Sequence, residues 1–146
     1  MDVDLGEMVR DSRCISIQLN ARADRALSQH GLTGVQARVL LYILKHSNTG
    51  VSLTELHRDL NFSMAAASGL IKRLREKGYV RVESCLLDER RKLLYATEKG
   101  TMVRDSMGAS LRTLPDLLYR GFTEDEIRTL DSLQKKMLQN LSLPED

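Results

Sequence analysis

Between residues 63 and 92 the chain carries eight bases, Lys72, Arg73, Arg75, Lys77, Arg81, Arg90, Arg91 and Lys92, against four acids, Glu76, Glu83, Asp88 and Glu89. That local +4 sits in a chain of formal net charge +2, so the remaining residues sum to −2. Cations gathered on one segment of a near-neutral body are the footprint of a duplex binder, because phosphate neutralisation supplies most sequence-independent affinity. Ahead of the bases stand Ser63, Met64, Ala65, Ser68 and Gly69, small or flexible residues of the kind that lets a helix approach base edges. Ser63 and Ser68 offer hydroxyls to bases or phosphates, and Ala65 suits a thymine methyl. Lys72, Arg73 and Arg75 suit phosphates or a guanine edge. Ala66 and Ala67 read as core-facing. Asp88, two residues before Arg90, can hold a tight turn by a charge-assisted hydrogen bond. Arg90 or Arg91 is then free to enter a minor groove, whose negative potential draws arginine.

No constellation of this kind points to catalysis. GxSxG, HExxH, Walker and glycine-rich dinucleotide patterns are absent, so neither an enzyme activity nor a cofactor is expected. Cys14 and Cys85 lack CxxC spacing, and His30, His46 and His57 lack metal spacing with either, so a disulfide scaffold and a metal site are not expected. The longest apolar run, 39–44, holds six residues, against the roughly 20 that a membrane-spanning helix needs. Met1-Asp2-Val3-Asp4 has neither a basic nor an apolar leader region, so a cytoplasmic protein without membrane contact is the expectation.

The elements that must position these residues are legible from their starts. Thr33-x-x-Gln36, Ser52-x-x-Glu55 and Thr123-x-x-Glu126 are capping boxes, each preceded by an apolar residue, Leu32, Val51 or Phe122. Val35, Val39, Leu40, Ile43 and Leu44 repeat at helical spacing after the first; Leu53, Leu56 and Leu60 follow the second and stop at Asn61. Ser63 caps a further helix through Lys77, with Gly78 just beyond. A short helix, a three-residue turn and a second helix make a helix-turn-helix. The period then changes: Tyr79–Glu83 and Leu93–Thr97 alternate as strands around a charged tip, the form of a wing. The fold expected is mainly α with a small β component (α+β), a winged helix-turn-helix with helical flanks. An N-terminal helix over 1–31 carries Ile15, Leu19, Ala23, Ala26 and Leu27 on one stripe, the winged helix occupies 32–100, and a C-terminal part over 101–146 is interrupted by Pro115 and Gly121. Its last helix shows Ile127, Leu130, Leu133, Met137, Leu138 and Leu141 as a coiled-coil-like seam. These stripes exceed what so small a core can cover and predict a homodimer built from both flanks.

The ordered set resembles the MarR family of bacterial winged-helix transcription regulators. The likeness runs through Gly31-Leu32-Thr33, Leu53-x-x-Leu56, Leu70-Ile71-x-x-Leu74 with Gly78, and Asp88-x-Arg90 followed by Thr97-x-x-Gly100. It implies an obligate homodimer on a pseudo-palindromic operator of double-stranded DNA. Recognition helices would lie in successive major grooves, with Arg90 in the minor groove beside an ordering Asp88. It also implies repression, relieved by a small phenolic or lipophilic ligand or by cysteine oxidation. Cys14, Tyr42, His46 and Met102 are candidates for ligand binding. Cys14 invites the redox alternative, although a half-buried structural cysteine is the expectation. Two departures stand out: Cys85-Leu86-Leu87 where the family has Pro, Ser or charge, and Ala96 where it has leucine. The rival reading is a winged helix used as a protein-interaction module without sequence-specific DNA binding.

Overall fold

In the computed structural model, which describes residues 1–84, 87–88 and 90–142, all three capping boxes close. Thr33 Oγ1 accepts from Gln36 N at 3.2 Å while Gln36 Oε1 accepts from Thr33 N at 3.2 Å. The Ser52/Glu55 pair closes at 3.1 and 2.8 Å, and Thr123/Glu126 at 3.2 and 2.8 Å. Each start satisfies amides that the first helical turn leaves orphaned. The helices that result are α1 (Leu5–Leu27), α2 (Gly34–Lys45), α3 (Leu53–Leu60), α4 (Met64–Glu76), α5 (Glu98–Met102), α6 (Arg104–Leu118) and α7 (Glu124–Leu141). A single 3₁₀ turn, Ser28–His30, follows α1 and ends at Gly31 in the left-handed region, φ +64°.

The core gathers where α2, α3 and α4 meet. Val39, Leu40, Ile43, Leu56 and Leu74 are fully buried there, joined by Leu27 of α1 and Met107 of α6. The turn between α3 and α4 is held from inside the motif. Asn61 takes the left-handed φ of +57°, and the His57 ring bonds the Phe62 carbonyl across it. Asn is among the few non-glycine residues that enter this region readily.

Strands β1 (Val80–Ser84) and β2 (Lys92–Ala96) pair antiparallel, with Val82 opposite Leu94 and Ser84 opposite Lys92. Val51 adds a short third edge: its N–H donates to Leu94 O at 3.1 Å and its carbonyl accepts from Leu94 N at 2.7 Å. The residue expected to staple α3 therefore also ties the sheet to the start of the helix-turn-helix. The departure at Cys85-Leu86 lies outside the described residues; Leu87 is exposed.

The chain forms two compact units, Met1–Arg112 and Thr113–Asp146. In the first, α1 crosses α2 closely enough that a Cβ on Gly34 would stand 2.8 Å from Ala23 Cβ. Asp24 Oδ1 accepts from Gly34 N at 2.6 Å at that crossing. Only Ala23 and Leu27 of the α1 stripe are buried; Ile15, with Leu5, Met8, Val9 and Ile17, is exposed. In the second unit, α7 has no buried residue: Leu133 is 51% and Leu138 66% exposed. Its polar side is laced by Arg128 to Glu124 and Lys135 to Asp131.

Three expectations need correction. Pro115 does not interrupt the C-terminal helix, because α6 runs through it to Leu118. Proline forfeits one amide bond and crowds the preceding turn, and the chain reverses only at Gly121, φ +83°. Ala66 is exposed, since the inward face of α4 is centred on Ala67, Ile71 and Leu74 and one residue turns the helix by about 100°. Cys14, expected half-buried, is exposed on α1.

Candidate nucleic-acid interface

Helix α4 divides cleanly. Ala67, Ile71 and Leu74 point into the core, whereas Ala65, Ser68, Lys72 and Arg75 fall on the opposite face at spacings of three and four, all exposed. Arg73 is exposed on the flank and Met64, 44% exposed, stands at the N-terminal end. Ser63 is the N-cap: its Oγ accepts from Ala66 N at 3.1 Å. One of its two lone pairs is thereby committed to the helix, and its hydroxyl proton and second lone pair remain to offer a ligand. An open groove of about 470 Å³ runs along Ser68, Ile71, Lys72, Arg75 and Glu76. Among the described residues, Lys72, Arg73 and Arg75 enter no ion pair. Cations left without a partner on a helix that packs by its other side are available to phosphate.

The wing tip is ordered through backbone and not through a side-chain pair. Asp88 Oδ1 accepts from Arg90 N at 3.0 Å, and Asp88 O accepts from Arg91 N at 3.0 Å. This is an Asx turn, in which a short carboxylate imitates a backbone carbonyl. It leaves the Arg90 guanidinium with no ion pair among the described residues. Arg91 differs: its Nη2 lies 3.6 Å from Glu55 Oε1 on α3. Glu89, counted in the tip's charge, lies outside the described residues.

Two other bases from the cluster already have partners within the fold. Lys77 Nζ donates to Gly31 O and, at 2.8 Å, to Gln36 Oε1, tying the end of α4 to the start of α2. Arg81 pairs with Glu83 and stacks over the Tyr95 ring at 4.7 Å. Thr97 joins helix exit to strand exit, with Oγ1 donating to Gly78 O at 2.6 Å and N to Tyr79 O at 3.0 Å. It also caps α5 by accepting from Gly100 N at 3.2 Å. The Thr97-x-x-Gly100 spacing is thus the knot that fixes the base of the wing to the end of α4. Ala96 is half-buried against this knot and the core.

Of the ligand-cleft residues, Tyr42 and His46 come together one turn apart on α2, their rings 4.5 Å apart. Tyr42 donates its hydroxyl to Asp59, which also accepts from Arg58 Nε at 2.9 Å. Burial and that hydrogen bond push the Tyr42 hydroxyl up to about 12, while the Arg58 and Tyr42 bonds hold the Asp59 carboxyl below its ordinary value. Met102 is 76% exposed, and neither it, Cys14, Tyr42 nor His46 lines the groove along α4 or the one beside the wing. Among the described residues no cluster of His, Cys, Asp and Glu is arranged to hold a metal, and no helix is long and apolar enough to cross a membrane. Sequence reading missed the second role of Glu55. Its capping position was plain, but nothing local signals that the wing returns beside it.

A helix-turn-helix followed by a hairpin wing, with a cationic helix face beside it, defines the winged-helix class. The MarR family model matches residues 30–91, which hold α2, the helix-turn-helix and the first strand of the wing. No curated protein matches the sequence closely enough to count as a relative. Among solved structures, a putative MarR family transcriptional regulator from Listeria monocytogenes complexed with 26mer DNA is 26% identical, with a TM-score of 0.82 over 91% of this chain and 87% of that one. The MarR protein of Peptoclostridium difficile superposes at a TM-score of 0.86 with 23% identity, covering 97% of this chain and 91% of that one. The MepR–DNA complex of S. aureus gives 0.82 with 23% identity over 89% and 93%. Over residues 30–91 this chain is similar to the MarR family, and its fold is that of the MarR-family structures.

Proposed function

We propose that the protein is a homodimeric, sequence-specific DNA-binding regulator that represses transcription from a pseudo-palindromic operator and is released by a small lipophilic ligand. The observation that carries the DNA-binding reading is the outward stripe of α4. Ala65, Ser68, Lys72 and Arg75 share one face, with Lys72 and Arg75 unpaired among the described residues, next to a wing whose Arg90 is likewise unpaired. In this reading α4 enters the major groove by its N-terminal half. Met64, Ala65 and Ser68 meet base edges, Lys72, Arg73 and Arg75 meet the flanking phosphates, and Arg90 enters the minor groove. Structural neighbours solved as DNA complexes support the DNA-binding reading.

Homodimerisation is supported by the uncovered apolar residues of α1 and α7, including Leu5, Val9, Ile17, Leu133, Met137 and Leu138. Large exposed apolar residues gathered on one helix mark interfaces. Two copies held at fixed separation would set two α4 helices about one helical turn of DNA apart, roughly 34 Å, as two-fold operators require. Repression follows physically from a dimer seated across a promoter. The test is a binding titration of the full chain against its own upstream DNA and a scrambled duplex at two salt concentrations. A complex that prefers the native sequence and weakens steeply with salt is the expected result. Equal, weak binding to both duplexes would replace this reading with that of a protein-interaction module.

A further inference from the structure

We infer that Glu55 holds Arg91 back from DNA, so that one carboxylate on α3 limits each wing to a single free arginine; this rests on the DNA-binding reading above. Glu55 occupies the third position of α3, and its Oε2 accepts from the buried Ser52 N at 2.8 Å. The capping bond fixes where the carboxylate stands. Its other oxygen, Oε1, faces Arg91 Nη2 at 3.6 Å. Both residues line an open groove of about 440 Å³, shared with Thr54, Arg58, Asp88 and Arg90, where the first turn of α3 faces the wing tip.

The arginines of this groove have different fates. Arg58 is held by Asp59 at 2.9 Å, and Arg91 by Glu55. Arg90 has its amide on Asp88, and its guanidinium enters no ion pair among the described residues. Asp88 accepts a backbone bond through Oδ1, and among the described residues Glu55 is the acid that pairs with Arg91. Capping itself needs no charge at residue 55, because a glutamine oxygen accepts the same bond, as Gln36 does for Thr33. The charge on Glu55 therefore acts on Arg91. Removing it leaves the cap closed, frees a guanidinium beside the wing tip and takes an anion away from approaching phosphates.

Glu55 is thus a positioning residue, and the salt dependence of binding reads its action. Full-length chains, native, Glu55→Gln, Arg91→Ala and the double variant, are titrated by fluorescence anisotropy with the upstream duplex. Each phosphate neutralised adds about 0.9 to the slope of log affinity against log salt. Glu55→Gln is expected to bind more tightly and steepen the slope by about 0.9 per wing, so the ratio of variant to native affinity changes about 3.5-fold per wing between roughly 50 and 200 mM salt. Arg91→Ala is expected to lower the slope far more in the Glu55→Gln background than in the native one. An unchanged slope in Glu55→Gln overturns the inference. So does a gain that survives in the double variant, since that gain would come from the lost anion alone. Equal effects of Arg91→Ala in both backgrounds overturn it too, whether or not Glu55→Gln alters stability. A native chain with no salt-dependent complex defeats the DNA-binding reading itself, and that result is seen before any variant is compared.

Discussion

Replacing Gly100 by alanine tests whether the knot between α4, β2 and α5 is as tight as it looks. A Cβ built on Gly100 stands 2.5 Å from Tyr79 O, 3.3 Å from Ala96 Cβ and 3.4 Å from Leu40 Cδ1. The nearest of these is backbone, which cannot swing aside like a side-chain tip. Tyr79 O also accepts from Thr97 N at 3.0 Å, so displacing it disturbs a hydrogen bond that anchors the wing. Overpacking in a well-filled site costs roughly 1–3 kcal/mol, and a compromised bond adds about 1 kcal/mol. Alanine returns up to about 1 kcal/mol as the better helix former. The net is a loss of about 2 kcal/mol. At roughly 2–4 °C per kcal/mol for a chain of about 150 residues, Gly100→Ala should melt about 6 °C below the native chain by far-UV circular dichroism. DNA affinity should fall as well, because the same contact orients the wing. A melting point within a degree or two of native would refute the claim that glycine is required here by close approach.

Three further outcomes follow from the geometry. Arg90→Ala should weaken operator binding by ~1–3 kcal/mol and leave the assembly mass unchanged in light scattering; undiminished affinity in an intact dimer would take the wing tip out of recognition. Leu133→Glu puts a charge on the uncovered face of α7, where Leu133 is 51% exposed, so the folded monomer tolerates it. The mass in solution should halve and operator affinity should drop, whereas an unchanged mass would place the dimer contact elsewhere. Tyr42, raised from 10.0 to about 12 by burial and its bond to Asp59, favours folding while protonated. That contribution is present below about pH 10 and is lost as pH rises through about 12. In a phenolate absorbance titration one of the four tyrosines should ionise late, and Tyr42→Phe should remove that late step.

Much of the fold was legible because its signals are local. A hydroxyl at Thr33, Ser52 or Thr123 and an amide or carboxylate three residues on find each other whatever the rest of the chain does. Asn61, Gly31 and Gly78 end elements in left-handed backbone for reasons internal to each residue. The inward face of α4 followed from its period, but its edge did not: Ala66 lies one step from Ala67, and only the packing of α2 and α3 sets which alanine is covered. Pro115 was misread because a proline breaks a helix only when the surrounding turns cannot make good the lost bond, and α6 absorbs it.

Charge placement along the chain, helix starts and the change of period into the wing were decided by residue order, since interactions over a few positions outlast any tertiary arrangement. Tertiary structure alone decided which of the cations remain free. Lys77 is drawn to Gly31 and Gln36, over 40 positions away, Arg91 meets Glu55 where the hairpin comes back, and Val51 becomes a strand edge against Leu94. A lysine or arginine stem is long and its exposed pairings are worth only about 1 kcal/mol or less. The partner it takes is therefore whichever acid or carbonyl the packed core has carried within reach.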